Sequence, residues 1–300
     1  MLWAILAILS AVIFAVSNIL EKFVIEKKIK NFLTLFITGS FIRIIMVAIL
    51  AIFVPLSGIS LTSILFSVLA GCLAGLTFIF IYKALVKEDV SRVVAIYHIF
   101  PIFVAILAFI FLKEKISLIK GVAICITVLG AILISLKREK LSQKIKLRKV
   151  FLIVLIAVLA ESFLEVIDKY VLEQINLWQL FIIGYSAEFF IALFIFLFSK
   201  KLKQETREIF ANHRLCLTVL GIHLIYFSAS ICFLFAAVFG PITYVSAITS
   251  SQPLFVFIFT LILSLYYPHI LEERLDRRTV LIKTISIILI VTGILIIILA

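Results

Sequence analysis

The chain is one apolar unit written twice. Asn18, Glu21, Lys22 and Val24 return as Glu165, Asp168, Lys169 and Val171, 147 positions on. Asn31 and Gly39 return as Asn176 and Gly184, Ala84 and Pro101 as Ala236 and Pro253, and Lys120 and Gly130 as Lys283 and Gly293. The separation grows along the chain, as loop insertions would make it. Each copy holds five apolar runs of the roughly 20 residues that cross a bilayer as helix. The runs fall at about 2–21, 32–55, 61–83, 91–112, 117–136, 150–172, 177–199, 215–238, 242–266 and 279–299. They are solid Ile, Leu, Phe, Val and Ala without the alternation of a barrel strand. The expected fold is therefore all-α: ten transmembrane helices in two five-helix repeats.

Five is odd, so the second repeat must start on the opposite face of the membrane and is inverted relative to the first. The expected organisation is a first repeat over 1–136, a basic linker over 137–149 and a second repeat over 150–300. Of the 28 Lys and Arg, 23 cluster in the loops and helix ends after spans 1, 3, 5, 7 and 9, and 4 lie on the other side. The positive-inside rule puts the 23 in the cytoplasm and both termini outside. The net charge of +12 is thus a topology signal. It does not form a basic stripe with interleaved aromatics, so no nucleic-acid partner is expected.

The chain is 65% hydrophobic, well above the range of soluble domains. The expected location is the cell (cytoplasmic) membrane, multi-pass, with the lipid bilayer as partner. The first run lacks a basic leader and a small-residue cleavage pattern and reads as a retained span. Cys72, Cys125, Cys216 and Cys232 lie in or beside apolar runs without metal-ligand spacing. No metal or cofactor is expected. No His-Glu-x-x-His, Gly-x-Ser-x-Gly or P-loop pattern is present, which points away from an enzyme.

Span 6 carries the clearest anomaly. Glu161, Glu165 and Asp168 share one helical face. Glu161 lies about 16 Å into the helix, near the bilayer centre, where an ionised carboxylate costs at least about 2.5–3.5 kcal/mol. Such a group faces a cavity or a partner, or it packs as a neutral acid. Glu161 and Glu165 are the proton-coupling candidates; Glu165 also has Lys169 at i+4 as an ion-pair partner. Arg43 and Glu188 occupy matching positions in spans 2 and 7 with opposite charge. Either they pair with each other, or Arg43 meets a span 6 carboxylate. Spans 4 and 9 carry matched prolines, Pro101 and Pro253, preceded by Tyr97 and His98 and by Ser250, Ser251 and Gln252. A proline frees a backbone carbonyl and bends the helix. A polar kink in both repeats points to a central site. His223, at the repeat position of Gly71, and Tyr226 one turn on join the candidate cavity. Gly71 and Gly75 read as helix-packing residues.

These residues resemble the EamA-type members of the drug/metabolite transporter superfamily. The likeness rests on Ser17 and Asn18 late in span 1, Arg43 in span 2, the proline of span 4, then Glu114, Lys115, Gly121 and Gly130. It implies an inverted-repeat bundle with spans 3, 4, 8 and 9 around a cavity, which Asn18 would join. It also implies termini in the cytoplasm, against the loop charges. Glu114 and Glu273 match the acid that follows span 4 in that family. Ala160, Glu161 and Lys169 are similar to the first helix of small multidrug exporters, which implies a proton- and drug-binding role for Glu161. Its repeat mate is Phe14, so one of two such carboxylates is missing. The expected function is secondary transport, as exporter or exchanger, of a small metabolite, amino acid or amphipathic compound. The mechanism would be alternating access by rocking the two halves, with protons as the coupling partner and the chain as monomer or dimer. The alternatives are a lipid-linked substrate flippase, a membrane scaffold and an intramembrane enzyme.

Overall fold

The computed structural model describes residues 1–29, 31–88, 90–135, 144–266 and 277–300. The helices are α1 (Leu2–Val24), α2 (Phe32–Phe53), α3 (Leu61–Leu85), α4 (Val90–Tyr97), α5 (Phe100–Leu107), α6 (Leu118–Ser135), α7 (Lys144–Leu172), α8 (Leu177–Phe198), α9 (Lys200–Ala211), α10 (His213–Phe239), α11 (Ile242–Thr249), α12 (Gln252–Tyr266) and α13 (Arg277–Leu299). Span 4 is built from α4 and α5, and span 9 from α11 and α12. Among the described residues ten segments are long and apolar enough to cross a membrane. Every apolar run of the sequence is one of them.

Ends are set by local chemistry. The side chains of Asn31, Ser60, Asn176, Ser199 and Asn212 accept a backbone N–H at the starts of α2, α3, α8, α9 and α10, which satisfies donors a helix leaves orphaned. Asn176 and Gln179 complete a capping box. The linker expected over 137–149 lies partly outside the described residues, and Lys144 already begins α7.

Side-chain size is inverted relative to a soluble protein. Helix α1 buries Ala4, Ala7, Ser10, Ala11, Ala15 and Ser17, while Leu2, Ile5 and Leu9 point outward. Phe190, Phe194 and Phe198 do the same on α8. Lipid rewards no burial of large apolar groups, so small residues go inside where they let backbones approach.

Packing crosses between the repeats. Helix α1 packs most extensively on α10, then on α12 and α11; its counterpart α7 packs on α3, then on α5 and α4. Helix α2 meets α8, and α6 meets α13. The close approaches come in mated pairs. A Cβ on Gly130 would strike Ile290, and one on Gly293 would strike Thr127; these four residues are mates two by two. A Cβ on Gly71 would strike the Gly184 carbonyl, and one on Gly39 would strike the His223 ring. Again the second contact is the repeat image of the first. Helices that touch their own repeat mates, α2 with α8 and α6 with α13, lie against the pseudo-two-fold axis. That axis therefore runs in the membrane plane from the α2–α8 contact to the α6–α13 contact. Spans 1, 3, 4, 6, 8 and 9 are arranged around it.

Candidate functional site

Both proline-bearing spans break where the sequence placed the kinks. Helix α4 ends at Tyr97 and α5 begins at Phe100 with Pro101 in its first turn. Helix α11 ends at Thr249 and α12 begins at Gln252. Prolines Pro101 and Pro253 supply no N–H, so the chain is interrupted rather than merely bent. Ser162 of α7 donates to its own Val158 carbonyl at 2.7 Å and lies 3.2 Å from the Phe100 carbonyl, which brings α7 against the break. Pro101 is buried, α11 is buried along its whole length, and α11 packs against α5. The two broken spans thus meet in the interior.

The span 6 carboxylates lie at this meeting. Tyr97 and Thr77 face Glu161. Ser246 of α11 faces Glu165, which is 4% exposed. Asp168 lies on the same face, toward Glu161 and Tyr185. Several buried polar atoms in the two broken spans and span 6 make no hydrogen bond to a described residue: Glu165 Oε2, Ser251 Oγ, Thr249 Oγ1 and His98 Nδ1. Nearly all buried polar groups are paired in proteins, so these unpaired atoms set the region apart from the rest of the interior.

The kink residues divide. Ser250 bonds back to the Ala247 carbonyl at 2.7 Å, as membrane serines commonly do. Ser251 is buried without a partner, and Gln252 is half-buried. His98 is buried against the rings of Tyr97 and Phe100. Asn18 is exposed and is not buried with the others.

Arg43 and Glu188 pair with each other. Arg43 also reaches Ser40 Oγ and His223 Nδ1, each at 3.1 Å. The rings of Tyr185 and Tyr226 flank its guanidinium at 5.6 Å. As repeat mates in contact, Arg43 and Glu188 sit on the axis and hence near the bilayer midplane. His223 fits because its ring occupies the gap left by Gly39; at the mated crossing Gly71 leaves no room and Gly184 lies directly against it. Tyr226 packs edge-on to Phe14 at 5.2 Å.

One contact differs from the sequence expectation. Lys169 does not pair with Glu165. Its Nζ donates to the Ala237 and Gly240 carbonyls at 2.8 and 3.2 Å, because the end of α10 offers orphan carbonyls and a favourable dipole. Glu114 accepts from the N–H groups of Ile242 and Thr243 at 2.8 and 3.2 Å and from Thr243 Oγ1 at 2.6 Å. It caps α11 across the repeats. Glu273 lies outside the described residues.

Glu21 was missed. It lies inside α1, accepts from Ser17 Oγ at 3.1 Å, and lines a small cavity with Arg43, His223 and Tyr226. Its signal was its identity as the mate of Asp168.

Residues 1–136 match the model of the EamA-like transporter family. No curated protein matches the chain in sequence. A solved structure, described only as the crystal structure of a protein, superposes with a TM-score of 0.67 at 12% identity, over 98% of this chain and 94% of that one. At that identity the likeness is one of fold, and it covers both repeats. The chain is an integral multi-pass membrane protein whose first repeat is similar to the EamA-like transporter family.

Proposed function

We propose that the chain is a secondary transporter of the cell membrane, an exporter or exchanger of a small amphipathic amine or amino-acid-like metabolite, coupled to protons through Glu161 and Glu165. The observation that carries this reading is the unpartnered polar cluster around two span 6 carboxylates where both broken spans meet. A charge there is costly in a low-dielectric bundle. Proton binding removes the cost, and so does a cation from the substrate. The two compete, and that competition couples their movements. Tyr97, His98, Ser251 and Gln252 would contact the rest of the substrate, with Tyr226 behind them.

The tightest packing joins each repeat to the other, which favours alternating access by mixed bodies over a rocking of the two sequence halves. The moving bodies are mixed. One gathers α1 with α10, α11 and α12; the other gathers α7 with α3, α4 and α5. The Arg43–Glu188 pair, lying on the axis, maps onto itself when the repeats exchange conformations and serves as the pivot.

The test is a thermal-shift screen of purified protein against amines and amino acids at acidic and alkaline pH. A stabilising ligand should bind more weakly at acidic pH, and the pH dependence should shrink in Glu165→Gln. A ligand that binds equally at both pH values, in wild type and variant alike, would leave the carboxylates without a coupling role.

A further inference from the structure

Span 6 is not the only source of membrane carboxylates. Glu21 lies on α1, at the end of the bundle that carries the basic loops, and its repeat mate Asp168 lies toward the other end. An inverted repeat places mates at equal depth on opposite sides of the midplane. The cavity that Glu21 lines measures about 10 Å³, close to the space a single water needs. Its other walls are Phe32, Leu35, Phe36, Phe78, Arg43, His223 and Tyr226. One of these residues brings an unpaired atom to the interior: Arg43 Nε makes no hydrogen bond among the described residues, and Arg43 is 2% exposed.

On the helix of Glu21 are Ser17, which donates to it, and the exposed Lys22. From α2 comes Arg43, from α10 come His223 and Tyr226, and α3 contributes the apolar Phe78. Arg43 is the buried cation among these groups, and Glu188 engages it. Among the described residues the Glu21 carboxyl is therefore held by one hydroxyl, with a buried cation nearby that belongs to another acid.

We propose that Glu21 takes up and releases protons at the basic-side mouth of the transport path, through the water-sized cavity it shares with Arg43, His223 and Tyr226, and that Asp168 does so at the opposite mouth. The path then runs from Glu21, past the axial Arg43–Glu188 pair, to Glu161, Glu165 and Asp168. It has an acid at each mouth because the chain is duplicated and inverted. The assignment rests on the proton-coupled reading above and adds to it a second protonation site in the other repeat. His223 Nδ1 accepts from the Arg43 guanidinium, so its Nε2 carries the hydrogen and is placed to donate to a water held there. No bond but the O–H of the carboxyl forms or breaks, and the proton comes from solvent on the adjacent side.

The proton itself is the probe. The protein reconstituted in lipid is subjected to pH steps while infrared difference spectra record the carbonyl band of protonated carboxyl groups. Wild type should show a composite band. Glu21→Gln should remove one component, Asp168→Asn another and Glu161→Gln a third. Glu21→Asp should retain the first component at a shifted frequency, which keeps the test valid should Glu21→Gln fold poorly. A band unchanged by both Glu21 substitutions overturns the proposal. If the Glu21 component is present and Glu161→Gln removes nothing, the span 6 reading fails while this one stands. If wild type shows no such band over the pH steps, both fail.

Discussion

Replacing Glu188 by Gln would strand the Arg43 guanidinium in the interior. Arg43 is 2% and Glu188 3% exposed, so water cannot take over the lost charge. Removing one partner of a buried pair costs about 3–5 kcal/mol. Two features limit the loss: Ser40 Oγ and His223 Nδ1 remain at 3.1 Å, and two tyrosine rings stay at 5.6 Å with cation–π contributions of about 0.5–2 kcal/mol. The expected destabilisation is thus near the lower end, roughly 3 kcal/mol. Replacing both members, as Arg43→Met with Glu188→Leu, removes charge and partner together and should cost less than about 1 kcal/mol. The exchange Arg43→Glu with Glu188→Arg should recover only part of the loss. The pair would re-form on the axis, but the guanidinium, now carried by α8, would face Gly71, the repeat mate of His223, and lose the imidazole contact. Reversible unfolding of each variant in mixed micelles of mild and denaturing detergent measures these differences. A single-site cost below about 1 kcal/mol, or a double apolar variant as damaged as the single one, would refute the view that a desolvated charge pair holds α2 to α8.

Gly71→Ala should destabilise by about 1–3 kcal/mol, since its Cβ would meet the Gly184 carbonyl. Gly221→Ala, where the added Cβ meets nothing, should be neutral or better; melting temperatures in detergent compare the two. Glu114→Gln should loosen the start of α11, seen as faster hydrogen exchange at Ile242 and Thr243 with exchange in α6 unchanged. In a background lacking Cys72, Cys125, Cys216 and Cys232, a cysteine replacing Gln204 on the basic side should resist an impermeant thiol reagent applied to intact cells. Labelling from outside would reverse the orientation drawn from the loop charges.

Much of the fold was legible because bilayer physics is simple. Ten runs of the right length left little freedom, and an odd number per repeat forced the inversion. The breaks at Pro101 and Pro253 followed from the missing N–H groups. The segment Lys200–Ala211 was read as loop because it is short and charged. It folds as α9 by burying Leu202, Thr206 and Ile209, a spacing hidden among lysines, and its Glu205 accepts from Asn31 Nδ2 at 3.0 Å and from Thr34 Oγ1. Lys169 was read against its neighbour at i−4, whereas its partners are carbonyls about 70 residues away. Glu21 went unremarked because span 1 was drawn to end there, although α1 continues to Val24. The pairing of Arg43 with Glu188 was one of two options in the sequence. Only the packing of α2 against α8 selects it.

Transport driven by an imposed pH gradient, in proteoliposomes holding wild type, Glu161→Gln or Phe14→Leu, tests the central claim most directly. The account predicts that Glu161→Gln folds, retains exchange of a ligand from the thermal-shift screen and loses gradient-driven movement, while Phe14→Leu, at the mated position, stays close to wild type. Gradient-driven transport by Glu161→Gln at the wild-type rate would contradict it and reduce Glu161 to a packing acid in a facilitated exchanger.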